Sequence, residues 1–503
     1  MLTRSATATL PAVRRAVLFT AAAILLAGPT VLAFFSGGYF EDPRLVGALV
    51  AWAVVLVAAL IGPRPLPVGG PGWAAVGGLA FLAAWTAASL WWAPVATTTI
   101  DAVQRLLLYL GALLAAIGLL RRRQVARAVE PALAAGIVVV IGYGLAGRVL
   151  PGLIELSRSA GAFGRLEQPI TYWNGEGALA AIGLVLCARL AGDPTRPGAV
   201  RAAGAAVCPL LGLGVYLSYS RGAIATAVVG AAILLAAAPT RAQLRGVVVA
   251  LGGGAIASAC SAALPGVASL SGSLGNREND GTIMIVILVV LIVTSALITL
   301  RFLPAESARL SFSRRLPALA ATAVALVVAG LVIGGVGEKG EREPERLRDP
   351  SGSRLTSVKS RRYDYWRVGL GAFGREPLLG VGAGGFRYEW LRERPVDEGV
   401  REAHSLELGM AADLGLPGLL GLAFMVGGVA VAGRRALASQ RPLAAGCCAA
   451  SMVWLLHASI DWDWEIPAVT LPVIIMAGGL IAASEEQDLI LSRYREGAEG
   501  SAA

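Results

Sequence analysis

The chain holds two histidines, His404 and His457, and imidazole is the side chain best placed to exchange protons near neutral pH. His404 closes a long polar stretch, just before an apolar run. His457 lies one turn before Asp461, so on a continuous helix the two share a face. A lone histidine is usually a satisfied structural residue. Two histidines without a close acidic cluster do not make a zinc site, so neither a metal nor a cofactor is expected. Arg221 sits in Ser218-Tyr219-Ser220-Arg221-Gly222, between two apolar runs with almost no loop. An arginine at such a boundary either snorkels outward as an anchor or faces a polar cavity. In a cavity its planar fork suits a phosphate. Gly380-Val381-Gly382-Ala383-Gly384-Gly385 satisfies G-x-G-x-x-G. With no βαβ unit around it, it reads as a tight turn with Phe386 packed behind, not as a dinucleotide site.

These residues need elements to hold them, and composition says which. Of 503 residues, 56% are hydrophobic and 15% charged, against about a quarter charged in soluble proteins. That excludes a cytosolic enzyme, a disordered chain and a disulfide scaffold. The five cysteines all lie in apolar runs without metal-ligand spacing and read as small core residues. The formal charge of +10 hints at nucleic acid. No basic tract with interleaved aromatics follows a nucleic-acid backbone, however, so no such partner is expected.

Fourteen apolar segments can be marked, near 16–35, 45–62, 72–92, 103–120, 130–150, 174–191, 202–217, 222–238, 246–264, 282–300, 316–336, 414–433, 442–460 and 466–484. The sequence therefore predicts an all-α polytopic membrane protein with about fourteen transmembrane helices (12–14) and one long extracytoplasmic loop. Arginine orients it. Arg121, Arg122 and Arg123, then Arg314 and Arg315, then Arg434 and Arg435 fall on one side. The short loops opposite carry six: Arg44, Arg148, Arg158, Arg165, Arg221 and Arg277. By the positive-inside rule both termini are cytoplasmic. Trp91, Trp92, Trp173, Trp462 and Trp464 gather at the outer ends, as an interfacial belt would. The expected organisation is helices over 1–336, a loop over 337–413, helices over 414–484 and a cytoplasmic tail over 485–503. Residues 337–403 hold 14 basic and 12 acidic side chains. Within them, Tyr363 to Phe373 is expected to form an amphipathic helix, and Gly337 to Ser353 an extended stretch.

In order along the chain stand Arg362-Tyr363-Asp364-Tyr365-Trp366, then Pro377-Leu378-Leu379-Gly380-Val381-Gly382, then His404-Ser405, then Gly415-Leu416-Pro417-Gly418. With Ser220-Arg221-Gly222 and the Arg165 to Asn174 stretch upstream, this resembles the O-antigen ligase family of polytopic membrane proteins, over roughly residues 90–480. Ser405 replaces the family's usual Asn after the His, and Asp413 stands where Glu is common.

The resemblance implies a membrane-embedded, inverting glycosyltransferase of the bacterial inner membrane, working on the extracytoplasmic face. Its donor would be a polyprenyl (undecaprenyl) diphosphate-linked glycan and its acceptor a lipid, glycan or protein hydroxyl. A diphosphate leaving group needs cations. Arg221, Arg362 or Arg361, and Arg165 can supply them without a metal, while His404 can act as base. Asp461, Asp463, His457, Asn174 and Trp366 are expected in support. A polymerase with the same donor chemistry is the alternative. A transporter is a second; it would place ionisable residues near the membrane midplane in repeated halves, whereas the polar residues here cluster at one mouth.

Overall fold

The computed structural model describes residues 3–62, 66–302, 361–439 and 443–502, with a few isolated positions between 308 and 322. Among these residues there are helices and no strand. Helices α1 (Thr3–Ala33), α2 (Glu41–Ile61), α3 (Gly70–Ala88), α4 (Ala96–Leu120) and α5 (Arg123–Val149) come first. They are followed by α6 (Trp173–Gly192), α7 (Gly198–Leu217), α8 (Arg221–Ala237), α9 (Arg241–Ala262), the single turn α10 (Pro265–Ala268) and α11 (Leu274–Phe302). After the undescribed stretch come α12 (Arg362–Arg375), α13 (Phe386–Glu393), α14 (Leu406–Ala438), α15 (Ala444–Ala458) and α16 (Pro467–Ala502).

Eleven of these are long and apolar enough to cross a bilayer, and α8 and α15 are shorter apolar helices. They account for thirteen of the fourteen expected segments. The other, 316–336, lies outside the described residues, as does the stretch 337–353 expected to be extended. The chain is an all-α polytopic membrane protein.

Burial sorts the helices. The apolar windows of α6 and α16 are wholly enclosed, whereas α2 and α11 turn most of their surface outward, as lipid-facing helices do. Where helices cross closely the residues are small. A Cβ on Gly78 of α3 would come within 2.5 Å of the Met425 backbone nitrogen on α14, and Gly212 of α7 meets Gly254 of α9 backbone to backbone. Without a hydrophobic force between helices in lipid, such close approach supplies the packing energy.

α14 starts at Leu406, earlier than the expected 414. Glu407 and Asp413 interrupt the apolar pattern there, but the Ser405 hydroxyl caps the helix by accepting from the Leu408 amide. Gly415, at φ 64°, breaks α14 into two segments. The amphipathic helix expected over 363–373 is α12, with Tyr365 and Val368 buried and Phe373 half-buried. Together with α13 it forms a cap with a small core of its own, built on Tyr365, Val368, Phe386, Trp390 and Val400. The glycine-rich run is the expected tight turn. Gly380, Gly382 and Gly384 all have positive φ, and a Cβ on Gly382 would run into Ala93. Phe386 is buried behind it. Asp413 fixes the turn by accepting from the amides of Gly384 and Phe386, both at 2.8 Å.

Candidate active site

The cap lies over one end of the bundle, where the connections α1–α2, α3–α4, α5–α6, α7–α8 and α15–α16 meet. The centre of this end is the α15–α16 connection, and its keystone is Asp461, wholly buried. One carboxylate oxygen pairs with the guanidinium of Arg362, the first residue of α12. The other accepts from the Tyr172 hydroxyl at 2.5 Å and from the Trp462 amide at 2.9 Å. Asn174 donates to the Tyr172 hydroxyl at 2.9 Å. Burial alone would raise the Asp461 carboxyl, but Arg362 and then His404 outweigh it and hold it below the usual carboxylate range.

His404 sits on the same acid from the cap side. Its Nδ1 is 2.9 Å from the Glu402 carbonyl. A carbonyl only accepts, so Nδ1 carries the hydrogen and Nε2 keeps its lone pair in the neutral ring. Burial lowers the imidazole below its ordinary value, and the nearby Arg362 charge lowers it further, against the pull of Asp461. The ring lies between Tyr365, 5.0 Å between centroids, and Trp462, 6.3 Å. The Trp366 indole donates to the His404 carbonyl at 3.3 Å. These contacts hold a backbone that is costly for a residue with a side chain: His404 has φ 51°.

His457 pairs with Asp463 and not, as a continuous helix would have it, with Asp461. α15 ends at Ala458, so Asp461 leaves the helical face and Asp463 swings back to Nδ1 at 2.5 Å. The other ring nitrogen is 3.3 Å from the Ser220 hydroxyl, which caps α8. Arg221 follows Ser220 as the first, exposed residue of α8. His457 is thus tied to the Ser220-Arg221 corner. Arg361 pairs with Glu398 at 2.6 Å, away from Asp461. Arg165 lies 4.3 Å over the Trp173 ring. Trp462 and Trp464 do not form an interfacial belt: Trp464 is 2% exposed and its carbonyl accepts from Tyr109.

Beside this cluster opens a cavity of about 390 Å³ between α2, α3, α4, the cap and the α15–α16 connection. His404 and Asp461 are on its wall; Arg221, Arg362, Arg361 and Arg165 are not. Its charged lining includes arginines that were not expected in the site: Arg105, and Arg44, which the sequence placed only in a short loop. Arg105 pairs with Glu465 at 2.5 Å, and the buried Arg44 pairs with Asp101. Arg105 escaped notice because α4 begins at Ala96, not near 103, so the residue lies well inside the span. An ionisable residue there is a functional candidate by default. Tyr172 also escaped, although it stands two residues before Asn174 in a stretch already marked. Among the described residues no group of three or more His, Cys, Asp or Glu side chains could hold a metal ion.

No curated protein matches the chain. Residues 206–423 match the family model described as O-antigen ligase. These residues run from α7 into α14 and include Ser220-Arg221, Arg362, the glycine turn and His404. Over that stretch, somewhat less than half of the chain, this multi-pass membrane protein is similar to the O-antigen ligase family.

Proposed function

We propose that the chain transfers a glycan from a polyprenyl-diphosphate donor to an acceptor hydroxyl on the extracytoplasmic side of the inner membrane, with His404 as general base. The observation that carries this reading is the His404 ring itself. It is oriented by Glu402 and Trp366, set against Asp461, and kept neutral by burial on the wall of a cavity. The acceptor oxygen attacks the anomeric carbon, and its proton passes to Nε2 of His404. The bond from that carbon to the phosphate oxygen breaks with inversion, and the polyprenyl diphosphate leaves. Asp461 steadies the imidazolium as it forms. Arg221, exposed at the start of α8, meets the diphosphate charge, and the guanidinium of Arg362 lies near the same acid. The orientation rests on the arginine-rich connections opposite the site. A ligase and a polymerase share this chemistry and differ in the acceptor.

The test separates the two roles. Arg221→Ala should weaken donor binding by about 2–5 kcal/mol, because it leaves diphosphate charge unpaired. Arg221→Lys should recover little, since an ammonium lacks the guanidinium fork. His404→Ala should bind donor normally and turn over ~10²–10⁴-fold more slowly. In the wild type the rate should fall on the acidic side as His404 takes up a proton, and that limb should vanish in His404→Ala. Donor binding and single-turnover transfer in nanodiscs across pH 5 to 9 read both. Wild-type turnover by His404→Ala would overturn the assignment.

A further inference from the structure

The cap keeps a small apolar core inside it, but the tip of its glycine turn is bare. Leu378 is 67% exposed, and Leu379 beside it is exposed as well. Exposed leucines on their own mean little, and here the neighbours give them meaning. The Leu416 amide donates to the Pro377 carbonyl at 2.9 Å, so the tip is fastened to the first residue of α14 beyond its break at Gly415. On its other flank the turn meets the α3–α4 connection. The Ala383 amide donates to the Ser89 hydroxyl at 3.2 Å, and a Cβ on Gly382 would come within 2.4 Å of the Ala93 Cα. That connection carries the exposed Leu90 and Trp91, the latter 88% exposed.

Leu416 also begins the outward stripe of α14. Leu416, Leu420, Phe424 and Val431 are exposed on one helix face, and the first charge on that face is Arg434. At 1.5 Å per residue the stripe runs about 27 Å, close to the ~30 Å of a bilayer's hydrocarbon layer. Lipid tails therefore cover it, with Arg434 at one boundary and Leu416 at the other. The bond from Leu416 to Pro377 sets Leu378 and Leu379 at that second boundary, and Trp91 is a residue type that gathers at this depth. Backbone polar groups that meet lipid must be paired within the protein. The turn satisfies this: the amides of Gly380, Val381 and Gly382 donate to the carbonyls of Glu376, Ala412 and Asp413, each at 2.9 Å. Arg375, which pairs with Glu393 at 2.8 Å, and the exposed Glu376 stand just before the tip and keep it from going deeper than the headgroup boundary.

We propose that the Leu378-Leu379 tip is an interfacial anchor: it dips into the lipid leaflet on the capped side and holds the cap against the bilayer. Its partner is the lipid surface, at the boundary between headgroups and acyl chains, and Leu416 and Trp91 extend the same band on either flank. The cap has a core of its own and joins α14 at a glycine break, so a grip on lipid adds a hold that the helix connection does not supply. The anchor does not depend on the role given to His404.

The experiment is power-saturation EPR on the full-length protein in phosphatidylcholine–phosphatidylglycerol nanodiscs. Cys260 and Cys448, the cysteines that are not fully buried, are changed to Ala. A nitroxide is then placed by Leu378→Cys and, in a separate protein, by Leu379→Cys, so that one site remains if the other label lowers the melting temperature. Leu420→Cys on the α14 stripe is the lipid reference, and Asp397→Cys, at an aspartate whose side chain is 93% exposed on the cap, is the water reference. Oxygen, which concentrates in lipid, should relax the labels at 378 and 379 several-fold more than a nickel chelate, which stays in water, and the order should reverse at 397. Nickel accessibility at the tip equal to that at 397 overturns the anchor. Low accessibility to both reagents overturns it too, because protein would then cover the tip. Hydrogen exchange in unlabelled protein tests the hold. Leu378→Ser with Leu379→Ser should speed exchange several-fold in α12 and α13 and leave α14 below Leu416 unchanged. If exchange in the cap does not change, the tip holds nothing and the proposal falls.

Discussion

The two ends of the helix bundle handle buried charge in opposite ways. At the end away from the cap, charge locks connections together. Arg196 pairs with the wholly buried Glu130 at 2.7 Å, Arg189 with Asp193 at 3.0 Å, and Arg121 with Glu485 at 2.6 Å. Glu485 also accepts from the amides of Val68 and Gly69. At the capped end charge surrounds an open cavity, and the backbone is less relaxed. Ser36, Phe163, Thr171, Tyr219, Leu270 and His404, the non-glycine residues with positive φ among those described, all lie in connections at that end. Strain of this kind persists only where the surroundings over-determine it, and it gathers at functional sites. One end therefore spends its polar groups on holding the bundle closed, and the other keeps groups in place for something to meet.

The contrast is best broken by swapping the measurements. Glu130→Ala should cost about 3–5 kcal/mol of stability, because it removes the buried acid that Arg196 pairs with at 2.7 Å. Turnover per folded molecule should be unchanged, and denaturation in detergent followed by a rate normalised to folded protein checks both. A lost rate in folded Glu130→Ala would mean that the two ends are not separate.

A smaller effect sharpens the capped end. Arg362 lowers the His404 pKa and Asp461 raises it. Arg362→Ala leaves the Asp461 carboxylate uncompensated, so His404 should hold its proton to higher pH and the acidic limb of the pH–rate profile should move up. Asp461→Asn removes the acid, and the limb should move down. Rate profiles of both variants read the signs directly; shifts in the same direction would sever the link between Asp461 and the base. The smallest change is Tyr172→Phe. It removes one hydrogen bond to Asp461, worth about 1 kcal/mol, and should slow transfer several-fold while donor binding holds.

The sequence carries the fold class openly, because runs of apolar residues separated by arginines admit few other architectures. His404, the glycine turn and the α12 helix are legible for local reasons: a rare residue type, a spacing of glycines, and a 3.6-residue stripe. The pairing of acids with partners is not. Asp461 and Asp463 are two residues apart, and only the break after Ala458 decides that one takes Arg362 and the other His457. The cavity is hidden for a further reason. Thr86, Arg105 and Trp464 come from segments nearly 400 residues apart along the chain at their extremes, and no one-dimensional pattern joins them.

The cap's separate core has a consequence for how defects would show themselves. Trp390 and Phe386 pack with Tyr365 and Val368 inside the cap, while the helices beneath have a continuous core of their own. Gly415 marks the join. A cavity-making change such as Trp390→Ala therefore loosens the surface that holds His404 and leaves the spanning helices packed. Such a protein would insert, accumulate and pass a check on abundance while doing no chemistry, so yield from the membrane fraction is a poor guide to function for any variant in this part of the chain.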